Sequence, residues 1–259
     1  MSKWSNRGSK VFAALVGGFR YLPMQGVAGT TIRIPLAAHR GFWPGPMPDA
    51  DLIAFLAGAL PDEGGVFLDV GGNIGTYPAA LAAVKQGKLR GAAFEPVPKT
   101  NMLLRRTLDL NGLEGFLAEA VALSSREAEL RFTAYAGGGN NFIVQRGDPR
   151  SQVVAHSTTL DGWVDAHPDL APDAIKIDVE GHELEVLKGG MKVLARCRPA
   201  LVLECHCASW LSLGVDAAEV NATLRQCGYA APVDRSGAPV ELLDRRETVH
   251  LLCRSSTAA

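Results

Sequence analysis

The sequence predicts an α/β protein with a doubly wound, mainly parallel β-sheet and a small N-terminal extension. Three observations support this prediction. An apolar strand that begins at Val66 runs into a glycine-rich turn, and a helix follows over residues 76–86. A second strand covers residues 89–95, and strands and helices then alternate toward the end of the chain. With 259 residues, the chain can bury the core of one such domain.

The first 64 residues are expected to form an extension that packs on a domain spanning residues 65–259, because they are too irregular for a core of their own. Helical spacing, branched residues and Pro/Gly content predict four elements here: a helix over 8–22, a strand over 30–36 that forms half of a hairpin, a loop over 41–48 and a helix over 48–60.

Within the domain, the pattern predicts a regular alternation. The strands are expected at residues 66–69, 89–95, 116–123, 128–135, 174–178, 200–205 and 249–253, and the helices at 76–86, 99–111, 182–195 and 217–227. The last strand is expected to run antiparallel to the others. A glycine-rich loop at 137–141 leads through polar sequence to residue 157, and it is either a lid or a flexible segment.

Composition limits the classes of partner. Net charge is −1, which predicts no general affinity for nucleic acid. No acidic residue precedes Asp49, although six Lys or Arg residues do, so the basic front end packs on the domain or contacts a membrane surface peripherally. No apolar run reaches the ~20 residues of a membrane span. Five cysteines without regular spacing predict reduced thiols and a cytoplasmic protein.

The glycine-rich turn is the first candidate binding site. It reads D-V-G-G-N-I-G over residues 69–75, and its glycines let the backbone approach a ligand closely. This spacing is not the G-x-G-x-x-G of dinucleotide-binding enzymes, so methyl transfer is favoured and hydride transfer is the alternative. Glu95 ends the next strand, where an acid can accept hydrogen bonds from both ribose hydroxyls.

Two later strand ends carry further ionisable groups. The run I-K-I-D-V-E-G-H-E over residues 175–183 places Asp178, Glu180 and His182 after a strand, and Glu204 and His206 follow the next one. Such a set could bind a divalent ion or act as a general base. The simpler interpretations are that His182 caps a helix and that Glu183 is a first-turn acid facing the helix dipole. Structural zinc at residues 205–207 is disfavoured, because adjacent strand side chains point to opposite faces.

These motifs together resemble the FkbM-type S-adenosylmethionine-dependent methyltransferases. The resemblance covers roughly residues 65–207 and rests on six stretches: D-V-G-G-N-I-G (69–75), F-E-P-V-P (94–98), V-A-L-S (121–124), T-T-L-D (158–161), I-K-I-D-V-E-G-H-E (175–183) and L-V-L-E-C-H (201–206). It implies a Rossmann-like fold of the class I methyltransferase type. Gly72 stands where the family usually has alanine, a small-for-small change.

The resemblance also implies site residues. S-adenosylmethionine is expected over Asp69, Gly71, Gly72, Asn73 and Gly75, with Glu95 on its ribose and its adenine near residues 119–124, where Ser124 is the candidate. Family members mostly methylate hydroxyls of sugars, glycolipids or polyketides. Asp178 and Glu204 resemble, more loosely, the positions that supply magnesium ligands in catechol O-methyltransferase.

The mechanistic hypothesis is that His182 is the general base, with Asp178 and Glu180 orienting it or holding an ion. Two alternatives remain open. One is a nicotinamide-dependent oxidoreductase, and the other is a non-catalytic relative that binds a partner through the basic front end and the 137–141 loop. The sequence does not identify the acceptor.

Overall fold

The computed structural model describes residues 21–38, 47, 49–133, 142–144, 148–150, 153–242 and 245–254. Its strands are β1 (Tyr21–Gln25), β2 (Thr31–Pro35), β3 (Gly65–Val70), β4 (Leu89–Phe94), β5 (Phe116–Glu119), β6 (Ala122–Leu123), β7 (Ala128–Phe132), β8 (Val153–Thr158), β9 (Ala174–Ile177), β10 (Ala200–His206) and β11 (Thr248–Cys253). Its α-helices are α1 (Ala50–Ala59), α2 (Thr76–Val84), α3 (Pro98–Leu110), α4 (Leu160–Ala166), α5 (Glu183–Gly189), α6 (Met191–Cys197), α7 (Cys207–Leu213) and α8 (Ala217–Gln226).

The central sheet has six strands in the order β11-β10-β9-β3-β4-β5. All neighbouring pairs are parallel except β10 and β11, which are antiparallel. The chain moves from β3 outward to β5 and then returns to β9 on the other side of β3. The strand order therefore reverses between β3 and β9, and a ligand crevice forms outside the carboxyl ends of strands at such a point. The predicted fold class, including its antiparallel last strand, is confirmed.

Both faces of the sheet are covered, which is why its central strands are apolar without alternation. Every residue of β3 and β9 is buried. Leu68 belongs to the apolar cluster on one face and Phe67 to the cluster on the other. The hairpin β1–β2 and helix α1 contribute Ile32 and Leu52 to the Phe67 cluster, so these parts of the first 64 residues pack directly on the sheet.

Several predicted boundaries were wrong. The single strand expected over 116–123 ends at Glu119, and Ala122–Leu123 instead pairs with β8 in a second sheet, β6-β8-β7. The helix expected over 182–195 is two helices that meet at Gly190. Strand β8 and helices α4 and α7 were not predicted. The helix expected over 8–22 falls outside the described residues except at 21–22, which begin β1. The 137–141 loop and all but residue 47 of the loop at 41–48 also lie outside them.

Two further observations concern composition. Among the described residues, no helix has the length and apolar content that crossing a bilayer requires. All five cysteines carry free thiols, and four of them are buried. The predicted cytoplasmic location stays a prediction.

Two helical glycines provide a matched test of the packing. A Cβ at Gly189 would overlap the carbonyl oxygen of Ser124, whereas a Cβ at Gly58 in α1 would meet nothing within 4 Å. We expect Gly189→Ala to lower the free energy of unfolding by about 1–3 kcal/mol through overpacking. Gly58→Ala should raise it by about 0.5–1 kcal/mol, since alanine loses less backbone entropy in a helix. Urea unfolding midpoints check both changes, and equal effects at the two sites would contradict the packing of α5 against Ser124.

Candidate active site

A cleft lies at the carboxyl ends of β3, β4 and β9, where the strand order reverses. Six residues that the sequence singled out line it: Gly71, Asn73, Glu95, Asp178, Glu180 and His182. The other candidates, Asp69, Gly72, Gly75, Ser124 and Glu204, are not among the residues that line it.

The glycine-rich turn is fixed from both sides. Gly71 has a φ of 81°, and a side chain there would collide with the carbonyl oxygen of Asp178. The backbone N–H groups of Gly71 and Gly72 both donate to the carbonyl oxygen of Phe94, at 3.0 Å. Glycine is therefore required at position 71 for β3 and β9 to meet, whatever ligand binds there.

Asn73 is the residue of this turn that offers a polar group to the cleft. Its φ is 46°, a left-handed conformation that asparagine tolerates better than most residues. Its side-chain oxygen is buried and has no hydrogen-bond partner among the described residues. An unsatisfied buried acceptor is costly, so this oxygen is suited to accept a hydrogen bond from a ligand.

Glu95 is buried at the end of β4 and lines the cleft. Burial raises its pKa to about 7, although backbone N–H groups of Val97 and Asn73 that hydrogen-bond to the carboxylate act in the opposite direction. The bond from Val97 is 3.0 Å long and engages Oε1. The carboxyl group is thus held in place by the backbone and can still accept further hydrogen bonds.

Lys176 is a site residue that the sequence analysis missed. Its Nζ lies 3.0 Å from Oδ2 of Asp178 and 3.7 Å from Oδ1 of Asp69, and it sits 4.8 Å from the ring centroid of Tyr77. Burial would lower the pKa of Lys176, but Asp178 and Asp69 outweigh it and raise that pKa above its usual value. Burial raises the pKa of Asp69 to about 6, with Lys176 opposing the shift. A lysine inside an apolar strand was the available signal, since a buried charge needs a partner.

His182 contacts a different partner from the one expected. Its Nε2 lies 2.9 Å from Oγ of Ser124, so the hydrogen-bond partner of His182 among the described residues is Ser124 rather than Asp178 or Glu180. Burial lowers the pKa of His182, so its neutral form, which can accept a proton, predominates at neutral pH. Ser124 is itself almost fully buried, and its backbone N–H donates to the carbonyl oxygen of Thr158, the last residue of β8, at 2.9 Å.

A second histidine, His206 at the end of β10, is surrounded by carboxylates. Its Nε2 lies 3.3 Å from Oε2 of Glu180, 3.7 Å from Oε1 of Glu204 and 3.8 Å from Oδ1 of Asp178. Burial alone would lower the pKa of His206, but the hydrogen bond that it donates to Glu183 and the surrounding acids raise this pKa to about 9. The surroundings of His206 therefore favour its cationic form, whereas those of His182 favour the neutral form.

Glu183 is a first-turn acid of α5, as the simpler interpretation predicted, but its side chain has further contacts. It is fully buried and accepts hydrogen bonds from the backbone N–H of Gly181 at 2.9 Å and from Nε1 of Trp210 at 2.6 Å. Its Oε1 also lies 2.9 Å from Nδ1 of His206. Glu183 thus fixes the orientation of the His206 ring.

The cleft is acidic. Glu95, Asp178 and Glu180 line it, and none of the described lining residues is a lysine or arginine. Lys176 lies behind the cleft between two acids and so is already neutralised. Such a surface favours a ligand that carries positive charge and disfavours one that carries phosphate.

The sequence of the chain is similar to those of known methyltransferases. A family profile described as "Methyltransferase FkbM domain" matches residues 69–231. The chain is 29% identical over 175 residues to "Hexuronic acid methyltransferase AglP" of Haloferax volcanii, covering 67% of each chain. It is 27% identical over 150 residues to "Methyltransferase 1" of Beauveria bassiana, covering 50% of this chain and 59% of that protein.

A solved structure is also similar. The crystal structure of methyltransferase FkbM from Methylobacillus flagellatus KT matches with a TM-score of 0.49 and 21% identity, over 74% of this chain and 44% of that chain. The chain thus spans less than half of that solved chain and about two thirds or less of the two relatives.

The raised pKa of Glu95 gives a test of its burial. Between pH 4.5, its ordinary pKa, and about 7, the folded protein binds a proton at Glu95 that the unfolded chain has lost. This group's contribution to stability is therefore present at low pH and is lost as pH rises to about 7. We expect the stability of the wild type relative to Glu95→Gln to fall by roughly 3 kcal/mol across this window.

Urea unfolding of both proteins between roughly pH 5 and pH 8 measures this difference. The same substitution at Glu114, which is exposed, serves as the control and should leave the shape of the wild-type curve unchanged. Parallel curves for wild type and Glu95→Gln would contradict the burial of Glu95.

Proposed function

The chain belongs to the FkbM methyltransferase family, and from this premise we propose that it transfers the methyl group of S-adenosylmethionine to a hydroxyl of a sugar acid or a related glycan. Membership of the family makes the chain an S-adenosylmethionine-dependent methyltransferase. The observation that carries the proposal is the acidic cleft at the point where the strand order reverses. The acceptor is our inference from that cleft and from the relatives.

The residues fit the cofactor. The sulfonium is cationic, and Asp178 and Glu180 supply negative charge on the cleft wall. The unpartnered oxygen of Asn73 suits a polar group of the ligand, and Glu95 suits the ribose hydroxyls. We assign Gly71, Gly72 and Gly75 to the close approach of the backbone. Asp69 and Ser124 were also predicted to bind the cofactor. Neither lines the cleft, so their proposed contribution to binding acts through neighbouring residues.

The oxidoreductase alternative is disfavoured by charge. A nicotinamide dinucleotide carries a pyrophosphate, which proteins bind with backbone N–H groups, helix N-termini or basic side chains. Here three acids line the cleft and its described lining has no lysine or arginine. The non-catalytic alternative predicts that neither cofactor binds, so one titration separates all three possibilities.

The chemistry needs little more than positioning and a proton acceptor. S-adenosylmethionine supplies an already activated methyl group. The chain orients the acceptor hydroxyl, which provides most of the acceleration. We propose that the Nε2–H of neutral His182 donates to Oγ of Ser124 and holds the ring in place, which leaves Nδ1 to take the hydroxyl proton. Asp178 and Glu180 shape the opposite wall.

The acceptor class comes from a relative. The Haloferax protein is described as a hexuronic acid methyltransferase, and sugar hydroxyls are good donors to the carboxylates that line this cleft. Other glycan, glycolipid or polyketide hydroxyls are further candidates within the same proposal. The role of magnesium, predicted at Asp178 and Glu204, has no support from the relatives.

We also propose that residues 1–64 form an extension on a catalytic domain of residues 65–259. The shared apolar cluster of β2, α1 and β3 supports the packing of this extension on the domain. Peripheral membrane contact through the basic front end concerns residues outside the described part of the chain, and it stays a prediction together with the cytoplasmic location.

The proposed function is tested first by cofactor and then by acceptor. Calorimetry should show one site for S-adenosylhomocysteine and none for NAD⁺. Glu95→Gln should weaken S-adenosylhomocysteine about 10–100-fold, because it removes a charged acceptor of hydrogen bonds. Mass spectrometry of uronic-acid oligosaccharides incubated with S-adenosylmethionine should then show the gain of one methylene group.

Mild alkali distinguishes the two kinds of product. A methyl ether formed at a hydroxyl resists hydrolysis, whereas a methyl ester formed at the sugar carboxylate is cleaved. An alkali-labile product would overturn the hydroxyl assignment and leave methyl transfer intact. Tight binding of NAD⁺ in place of S-adenosylhomocysteine would overturn the proposal as a whole.

The base hypothesis is tested at His182. We expect His182→Ala to lower kcat at least about 100-fold, because general-base catalysis contributes on that scale. Calorimetry should give an S-adenosylhomocysteine affinity close to that of the wild type. The matched control is His156→Ala, since His156 is exposed on β8. Turnover of His182→Ala within about twofold of the wild type would remove His182 from the mechanism.

A further inference from the structure

We infer that His206, Asp178 and Glu204 form a binding site for a divalent transition-metal ion beside the cleft, with Glu180 at its edge and Glu183 orienting the imidazole. The sequence-based prediction named Asp178 and Glu204 with magnesium. The geometry adds a nitrogen ligand and changes the preferred metal. Binding of the ion does not depend on the proposed function, whereas a role of the ion in methyl transfer rests on that function.

The three ligand groups converge on one point. One potential ligand atom from each of Asp178, Glu204 and His206 lies within 4.8 Å of the others. The Nε2 of His206 faces Oε2 of Glu180 at 3.3 Å, Oε1 of Glu204 at 3.7 Å and Oδ1 of Asp178 at 3.8 Å. One nitrogen and three oxygens at such separations can surround a cation.

The orientation of His206 is fixed by its other nitrogen. Glu183 is fully buried, and its carboxylate also accepts hydrogen bonds from Gly181 and Trp210. It therefore receives the Nδ1 hydrogen of His206, and Nε2 is the nitrogen left to face the three carboxylates. Histidines that bind metals characteristically donate their other ring N–H to a carboxylate in this way.

This arrangement requires a positive charge at Nε2. A bare imidazole lone pair aimed at carboxylate oxygens is repulsive, so either a proton or a metal ion must lie between them. Four acids surround His206, whereas Lys176 is shared between Asp178 and Asp69. A divalent ion offsets more of this negative charge than a single proton does. It would also reduce the repulsion that an acidic sugar meets beside these carboxylates.

The donor set indicates which metal is suited. Magnesium prefers oxygen ligands and keeps several waters, whereas imidazole combined with carboxylates suits manganese, iron or zinc. When bound, such an ion lowers the pKa of a hydroxyl that coordinates it. His250 contacts the second oxygen of Glu204 at 3.2 Å, so Glu204 is also oriented from its outer side.

The test uses Mn²⁺ alone with the purified full chain after chelator treatment. Electron paramagnetic resonance follows the loss of the free aqueous Mn²⁺ signal, and we expect one ion bound per chain. His206→Ala and Glu204→Gln should each weaken binding at least about tenfold. Glu183→Gln should weaken it about 10–100-fold, the usual cost of removing an orienting group. Mg²⁺ should compete poorly, and His156→Ala should bind Mn²⁺ like the wild type.

The outcomes separate this inference from the proposed function. Absence of Mn²⁺ binding to the wild type, or binding that survives both His206→Ala and Glu204→Gln, overturns the metal site and leaves a proton as the charge on His206. If Glu183→Gln does not fold, the two ligand variants still decide the question. S-adenosylhomocysteine calorimetry on the same samples reports cofactor binding separately, so loss of one does not imply loss of the other.

Discussion

The ion cluster around Lys176 is the constraint on which the rest of the site depends. Lys176 and Asp69 are direct cross-strand neighbours in the pairing of β9 with β3, the two central strands of the sheet. Asp69 is only 1% exposed, and a carboxylate or an ammonium alone could not be buried there at tolerable cost. Lys176 also reaches Asp178. One ammonium therefore holds an acid from each strand end, and it fixes the floor of the cleft where the strand order reverses.

Much of the fold was predictable because its signals are local. Strands β3, β4, β9 and β10 are short apolar runs with an acid within two residues of their carboxyl ends, and the chain segments between them alternate accordingly. The missed elements lack such signals. Strand β8 does not alternate cleanly, because Val154 is exposed and Ser157 is buried, and β6 is only two residues long. Its membership of a second sheet depends on pairing with residues about 35 positions later, which no local pattern specifies.

The residues of the candidate site also differ in whether a local sequence signal predicts them. The glycine-rich turn and Glu95 could be recognised because each lies in one continuous motif with a known physical purpose. The pairings that define the histidines are tertiary. Ser124 and His182 are 58 residues apart, and His206 and Glu183 are 23 apart. Sequence reasoning identified these residue types at strand ends, but it paired His182 with Asp178 and Glu180, which the fold directs toward His206 instead.

The two histidines explain how one cleft can separate two roles. His182 is half-buried beside Ser124, and burial lowers its pKa, so the ring is neutral and its unprotonated nitrogen can accept a proton. His206 is held by Glu183 among carboxylates, and its Nε2 must carry either a proton or a cation. Whether Nε2 of His206 carries a proton or binds a cation, its lone pair is occupied and cannot accept another proton. Environments that shift the pKa values of two titratable groups in opposite directions suit these groups to opposite roles. In the proposed function, His182 is thus the histidine that receives a proton from the acceptor, and His206 places positive charge next to Asp178 and Glu180 beside the cleft.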